Sequence, residues 1–169
     1  MSRNSILECL NSAGSKCLKI LDINLRQQFY SKEIIHKSLQ LADVLKINQE
    51  ELHIIAKLLK IKGKENEMLD TLAGTFRLKI IALTNGADSS ILFFAGRISC
   101  IETPVVDVAD CIGAGDSFTA MLVSGLLKGL PLEEIHRKAV DLSAWVCTKA
   151  GATPDYNREI KKILNINNF

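Results

Sequence analysis

A run of small residues, Gly113-Ala114-Gly115, ends in a carboxylate at Asp116 and opens into a strongly apolar stretch from about Ser117 to Leu127. Glycines let a backbone approach a ligand closely. The first-turn N–H groups of a helix have no partner within the helix, and together with the helix dipole they attract anions. Such a tip suits the charge that develops on a transferring phosphoryl group. A carboxylate there would repel a phosphate that merely bound, but it makes sense as a base that takes a proton from an attacking hydroxyl beside the transferred group. Read alone, the four residues serve equally well as a helix start with an acid that stabilises the dipole. The segment is not a Walker A loop, because no Gly-Lys-Ser/Thr ending follows. It is not GxGxxG either, and no acidic residue closes a following strand as a dinucleotide site requires.

The elements that must position this tip follow from the apolar spacing. Residues 2–13 carry Ile6, Leu7 and Leu10 on one helical face, and Gly14 suits the end of that helix. The run 17–21 reads as a strand that delivers Asp22, with Asn24 and Arg26 just beyond. Ser31 can cap a helix carrying Ile34, Ile35, Leu39 and Ala42. Val44–Ile47 is a second strand ending at Asn48, and a helix follows through Leu52, Ile55, Ala56 and Leu59. Residues 63–66 form a polar break before an amphipathic stretch that runs to Phe76. Ile80–Leu83 is a third strand, which delivers Thr84. Asn85-Gly86 turns the chain into a strand at 90–94, and Gly96 turns it again into 98–101, an antiparallel hairpin. After the helix that begins near Ser117, Gly129 suits a stop and Pro131 a new start. That next helix runs to about Thr148, a loop spans 151–154, and a short helix closes the chain. Strand, helix, strand, helix, strand is the pattern of a parallel α/β sheet. Ligands bind beyond the C-terminal ends of such strands, where Asp22, Asn48 and Thr84 fall. Each of these is equally well read as a helix cap.

The totals narrow the function classes. The chain of 169 residues is 47% hydrophobic and 24% charged, which suits one soluble domain with a real core. A net charge of +2 without a concentrated basic face argues against nucleic-acid binding. Five cysteines without a CxxC give no support to zinc or thioredoxin-like redox chemistry. Cys17, Cys100 and Cys147 lie in apolar runs and are expected as small core residues. Reduced thiols point to the cytoplasm. No h-region follows the N-terminus and no apolar run is long enough to span a bilayer, so a soluble, unexported protein without membrane contact is expected. His36, His53 and His136 lie on proposed helices, far apart in sequence, and are expected at helix surfaces or ends. Trp145 is expected in core or interface, Phe93-Phe94 in a buried hairpin, and 66–70 at a solvated helix start.

Taken together, the motifs resemble the PfkB/ribokinase family of carbohydrate kinases. Residues 110–118, Asp-Cys-Ile-Gly-Ala-Gly-Asp-Ser-Phe, resemble that family's second signature. Asp22-Ile23-Asn24-Leu25-Arg26 is similar to its Asp-x-Asn-x-Arg segment, and Asn48-Gln49-Glu50-Glu51 to its Asn-x-x-Glu motif. Thr84-Asn85-Gly86 matches its nucleotide loop, and Gly151-Ala152 its late Gly-Ala. The motifs come in family order, and segments 22–30 and 43–52 are closest in tone to fructokinase-like members. The resemblance implies a three-layer αβα sandwich with a mostly parallel sheet, and ATP-dependent phosphorylation of a sugar hydroxyl. It implies Asp116 as general base, and backbone N–H groups of Gly113, Ala114 and Gly115, up to Asp116, as an anion hole. Nucleotide contacts would come from Asn48, Thr84, Asn85, Gly86, Ala87, Asp88 and Ser89. Glu51, with Asp22 and Arg26, would position phosphate and Mg2+. In members that use a monovalent cation such as K+, Asp110 and backbone near Val146, Lys149 and Gly151 would surround it.

The departures are specific. Cys111 replaces the usual Thr, Met121 stands where a small residue is usual, and Val140 falls where many members carry an Asn beside the adenine. The early di-glycine signature, most sugar-contacting residues and the β lid have no counterpart in the chain, which resembles the C-terminal, nucleotide-binding part as one domain over 1–169. A sheet that lacks its early strands exposes an edge and an apolar face, so self-association is expected. The competing reading is a catalytically incomplete module that binds nucleotide or assembles with a partner.

Overall fold

A computed structural model describes residues 2–27, 29–156 and 160–161. In chain order the elements are α1 (Ser2–Ser12), β1 (Ile20–Asp22), α2 (Lys32–Leu41), β2 (Val44–Asn48), α3 (Gln49–Leu59), α4 (Glu65–Phe76), β3 (Ile80–Thr84), β4 (Ser89–Phe94), β5 (Arg97–Glu102), α5 (Ala114–Leu127) and α6 (Leu132–Cys147). The strands form one mixed, mostly parallel sheet in the order β1-β2-β3-β4-β5. This is the expected α/β class. The chain divides into two compact units, one of residues 1–83 with 93–98 and one of 84–92 with 99–169.

In the first unit the core is built on the middle strands. Val44, Leu45 and Ile47 of β2 and Ile81, Ala82 and Leu83 of β3 are fully buried. Burial on successive residues means that both faces are covered, the situation of an interior parallel strand. β1 pairs parallel with β2, in a register that sets Ile20 opposite Val44 and Asp22 opposite Lys46. The Asp22 carboxylate therefore meets Lys46 Nζ at 3.2 Å. β1 is shorter than expected, because Cys17–Lys19 lie outside it. The Asp43 side chain accepts the Lys19 N–H at 3.0 Å, and Lys19 O accepts from Asp43 and Val44 N–H, so the start of β2 engages this backbone where a ladder would begin. Cys17 is consequently exposed rather than in the core.

The helices of this unit start where side chains can take their orphan N–H groups. Ser31 Oγ accepts the Ile34 N–H at 3.2 Å, and Ile35 and Leu39 bury one face of α2. α3 opens on a reciprocal cap. Asn48 Oδ1 accepts the Glu51 N–H and Glu51 Oε2 accepts the Asn48 N–H, both at 2.9 Å. The remaining oxygen, Glu51 Oε1, accepts the Leu25 N–H at 3.0 Å. α4 begins at Glu65, inside the expected polar break, because Glu67 accepts the Lys64 N–H at 2.7 Å and closes the turn earlier.

β4 and β5 are joined by two residues, Ala95 (φ 48°) and Gly96 (φ 73°), the left-handed pair that a tight hairpin turn requires. Along β5, Ser99 and Ile101 turn inward while Ile98, Cys100 and Glu102 are exposed. This alternation places Cys100 on the outer face, not in the core as expected. In the second unit α5 begins at Ala114, three residues before the expected start. Ser117 N–H already donates to Gly113 O at 2.8 Å, which brings Asp116 inside the first turn. Gly125 lets α5 approach α6 closely, because a Cβ there would stand 2.5 Å from Ile135 Cγ1. The expected closing helix is described only at Ile160 and Lys161; the rest of it lies outside the described residues.

Glu51→Ala would leave two backbone N–H groups unpaired. It is expected to cost about 2–4 kcal/mol in urea unfolding, with Glu51→Gln, which keeps one acceptor oxygen, in between. An unchanged unfolding midpoint for Glu51→Ala would contradict the capping account.

Candidate active site

The second unit encloses a cleft of about 360 Å3. Thr84, Gly86 and Ala87 line one side, and Thr103–Val106 with Val108 another. Ala114 and Gly115 stand at the α5 tip, and Phe118, Val140 and Ala144 supply apolar walls. The volume lies within the range of small-ligand sites. No Asp, Glu, Lys, Arg or His lines it.

The tip is held in place by a set of short ties. Asp110 Oδ1 accepts the Ile112 N–H at 2.9 Å, and its Oδ2 accepts the Gly151 N–H at 3.2 Å. Cys147 O accepts from both Ala109 and Asp110 N–H, which fastens the loop to the end of α6. Gly113 has φ 85°, and a Cβ on it would fall 2.5 Å from Ala152 O and 3.0 Å from Ala152 Cα. The loop therefore needs glycine twice over, for its conformation and for the close backbone approach. Ser143 Oγ and Ser117 Oγ both donate to Ala114 O, at 3.0 and 2.8 Å, and lock the first turn against α6. Ala114 N–H donates to Cys111 O at 3.3 Å. The next two, Gly115 and Asp116, present N–H groups that the helix itself cannot pair. Asp116 is exposed, one position past the cleft-lining Gly115.

The Thr84–Ser89 turn is also fixed by its own backbone. Asn85 N–H donates to Ser89 O at 2.8 Å and Asp88 N–H to Asn85 O at 3.1 Å. Thr103 closes the turn from the far end of the hairpin, donating its N–H to Asp88 O and its hydroxyl to Gly86 O at 3.1 Å. Asn85 Oδ1 is buried without a hydrogen-bond partner. The structure thus brings Thr84, Gly86 and Ala87 to one cleft with Ala114 and Gly115. It ties Asp110 to Gly151, and pairs Lys149 N–H with Val146 O at 3.0 Å. Asp22, Arg26, Asn48 and Glu51 belong to the first unit, where Asp22 meets Lys46 and Asn48 meets Glu51.

Sequence reasoning missed the second wall of the cleft, the Pro-Val-Val segment at 104–106 and the apolar face of α6. The only signal was the apolar composition of those stretches. It also placed His136 at a surface, whereas the residue is fully buried. Its ring nitrogens meet Ser90 Oγ and Ser99 Oγ, each at 2.8 Å. These hydroxyls satisfy an imidazole that the helix periodicity alone turns inward. Burial, with the nearby Arg137 charge adding to it, pushes the His136 imidazole down to about 4. Burial and the neighbouring Cys111 thiol push the Cys147 thiol up, which keeps it protonated at the cleft wall. Among the described residues no group of three or more His, Cys, Asp and Glu is placed to hold a metal ion.

The model of the pfkB family carbohydrate kinases matches residues 1–159. The chain belongs to that family. It is 30% identical over 129 residues to a fructokinase of Escherichia coli, an alignment that covers 72% of the chain and 41% of that enzyme. Ribokinase of Thermotoga maritima superimposes with a TM-score of 0.76 at 22% identity, over 96% of this chain and 53% of that one. A sugar kinase of Pyrococcus horikoshii in complex with ATP superimposes with a TM-score of 0.73 at 25% identity, over 89% of this chain and 48% of that one. The chain spans about half the length of the relatives it matches.

Two outcomes test this geometry. Gly113→Ala should destabilise the kinase-family chain by about 1–3 kcal/mol more than Gly129→Ala, since both substitutions meet positive φ but only Gly113 faces backbone; equal melting temperatures for the two variants would refute the close-approach account. The neutral His136 is favoured on folding, so its contribution to stability is full above pH 6.5 and is lost as pH falls toward about 4. That loss should amount to about 3 kcal/mol, and His136→Gln should flatten the slope of unfolding free energy across this window; parallel slopes would show that His136 does not titrate there.

Proposed function

We propose that the chain is the ATP-binding and catalytic-base portion of a carbohydrate kinase that phosphorylates a sugar hydroxyl, fructokinase-like in its substrate. The observation that supports this reading best is the α5 tip. A glycine turn held against Ala152 presents unpaired first-turn N–H groups at the end of a neutral cleft, with Asp116 directly beside them. A nucleotide laid along the cleft would put its ring between the apolar walls and its phosphates toward Gly113–Asp116. The ATP complex of the Pyrococcus relative supports the choice of nucleotide.

In this reading the backbone N–H groups of the tip stabilise charge on the transferring phosphoryl group without reorganising, because the ties at Asp110 and Cys147 already fix them. Asp116 accepts the proton of the sugar hydroxyl as that oxygen attacks the γ-phosphorus, and the bond from that phosphorus to the β–γ bridging oxygen breaks to release ADP. Thr84–Ser89 form the turn against which the nucleotide rests. Mg2+ would arrive on the nucleotide phosphates, since such ions keep most of their ligands as phosphate and water oxygens. Glu51 spends both oxygens on backbone N–H groups of its own unit, and each keeps a second lone pair. Asp22 and Arg26 would assist in positioning. Asp110 and the Val146 carbonyl supply oxygens of the kind a monovalent cation takes, near Lys149 and Gly151, and such an ion would brace the same loop. We place the protein in the cytoplasm, and no helix among the described residues is long and apolar enough to cross a membrane.

The test is ADP formation by the full chain with ATP, Mg2+ and a panel of sugars, alongside calorimetric titration of nucleotide. Asp116→Asn should lower turnover by about 10^2- to 10^4-fold while leaving nucleotide affinity within twofold. Undiminished turnover in that variant would remove Asp116 as base. Nucleotide binding with no turnover on any sugar would favour the binding-module reading, to which the apolar Val140 on the cleft wall also points.

A further inference from the structure

One polar device in the second unit has no part in the transfer chemistry. His136 is fully buried, its Nε2 meets Ser90 Oγ and its Nδ1 meets Ser99 Oγ, and the edge of Phe118 packs on it at 6.3 Å and 76°. Ser90 is itself buried yet lines the cleft, as Phe118 does. Ser99 is half-buried on β5. A neutral imidazole carries one N–H and one bare nitrogen, so one serine must donate to the ring and the other must accept from it. The tautomer of His136 therefore decides what Ser90 can offer. If Nε2 is bare, the Ser90 proton is spent on the ring and only lone pairs remain. If Nε2 carries the proton, the Ser90 hydroxyl is left to donate.

Two of the three other hydroxyls around the cleft are already committed, and the third, that of Thr84, belongs to the turn at 84–89. Thr103 donates to Gly86 O and Ser143 to Ala114 O. Phe118, Val140 and Ala144, which line the same cleft, have no polar atom on their side chains. An apolar trio could fill the space of Ser90, His136 and Ser99 without the desolvation that three polar groups carry. The one member of the network on the ligand side is Ser90.

We propose that Ser90 is a specificity-determining residue for the ring that occupies this cleft, and that His136 is its positioning residue, fixing the direction of the Ser90 hydroxyl. The ligand class is a planar heteroaromatic ring with a hydrogen-bonding edge, its faces covered by the apolar walls and its edge read by one hydroxyl of fixed polarity. The proposal rests on the nucleotide reading of the cleft and names the group that discriminates between bases. It assigns to Ser90 the polar contact that Val140 cannot make.

Calorimetric titration of the full chain with ATP, GTP and inorganic tripolyphosphate, a base-free probe, tests it. Ser90→Ala should weaken ATP about fivefold, the size of one neutral hydrogen bond. It should bring the ATP-to-GTP affinity ratio toward one and leave tripolyphosphate unchanged. His136→Leu should reproduce this pattern, and His136→Gln, whose amide can reach Ser90 from the Nε2 position, should restore the ratio. A merely structural role would weaken all three ligands alike. If His136→Leu does not fold, Ser90→Ala and His136→Gln carry the comparison. ATP binding with the same ATP-to-GTP ratio in Ser90→Ala as in the wild type overturns this inference alone. Failure of the wild type to bind either nucleotide or tripolyphosphate overturns the nucleotide reading, and this inference with it.

Discussion

The close approach of Gly113 to the backbone of Ala152 is the constraint on which the candidate site turns. A helix N-terminus is useful to an anion only if its donors stay aimed without help from the ligand. In this chain the aim is set from outside the helix. Asp110 spans the loop to Gly151, Cys147 O takes two consecutive N–H groups, and Ser143 holds the Ala114 carbonyl. Each tie is short and joins the tip to residues of α6 or the loop after it, 29 to 41 positions along the chain. A Cβ at 113 would push the loop off Ala152 and lengthen the Asp110–Gly151 contact with it. Glycine at 113 is therefore a packing requirement first, and the aim of the first-turn N–H groups follows from it.

Features that depend on a few adjacent residues were legible in the sequence. The Ser31 cap, the Asn48 turn, the hairpin and the Gly-Ala-Gly-Asp tip each declare themselves over two to five positions, because caps and turns are set by local sterics and hydrogen bonds. What depends on partners far along the chain was not legible. His136 was expected at a helix surface because a histidine alone on a helix has no visible partner, and the hydroxyls that satisfy its buried ring, Ser90 and Ser99, lie 46 and 37 positions away. Cys100 looked like core because its segment is apolar, yet strand alternation sets its face. Asp43 shortened β1 through a side-chain bond to Lys19 that no propensity encodes. The second cleft wall was missed for the same reason, since a Pro-Val-Val stretch has no meaning until something packs beside it.

The polar residues of the first unit have a structural role that leaves room for the chemical one proposed for them. Asn48 and Glu51 are fully explained as a capping pair, and Glu51 also holds Leu25. That explanation does not use up the carboxylate, because a hydrogen bond to each oxygen leaves further lone pairs in place. Fixing a carboxylate with backbone donors is how a rigid acceptor is made, as a free side chain would have to be ordered by the ligand at an entropic cost. The same logic applies to Asp110 in the second unit.

Charge is distributed so that the cleft itself stays neutral. No ionisable carboxylate, amine or imidazole lines it, burial keeps the Cys147 thiol protonated, and the His136 imidazole just behind the wall is held uncharged. A charged group in that wall would have competed with a ligand's phosphates for the first-turn donors, or repelled them. With the wall neutral, the field near the tip comes from the α5 dipole, from Asp116 beside it and from Asp110 in the loop behind it. An acid at that point costs little in phosphate repulsion if its work is to receive a proton as charge moves onto the phosphoryl group, because its own charge is then neutralised in the same step. The neutrality of the wall and the exposed acid at the α5 tip are two sides of one electrostatic arrangement.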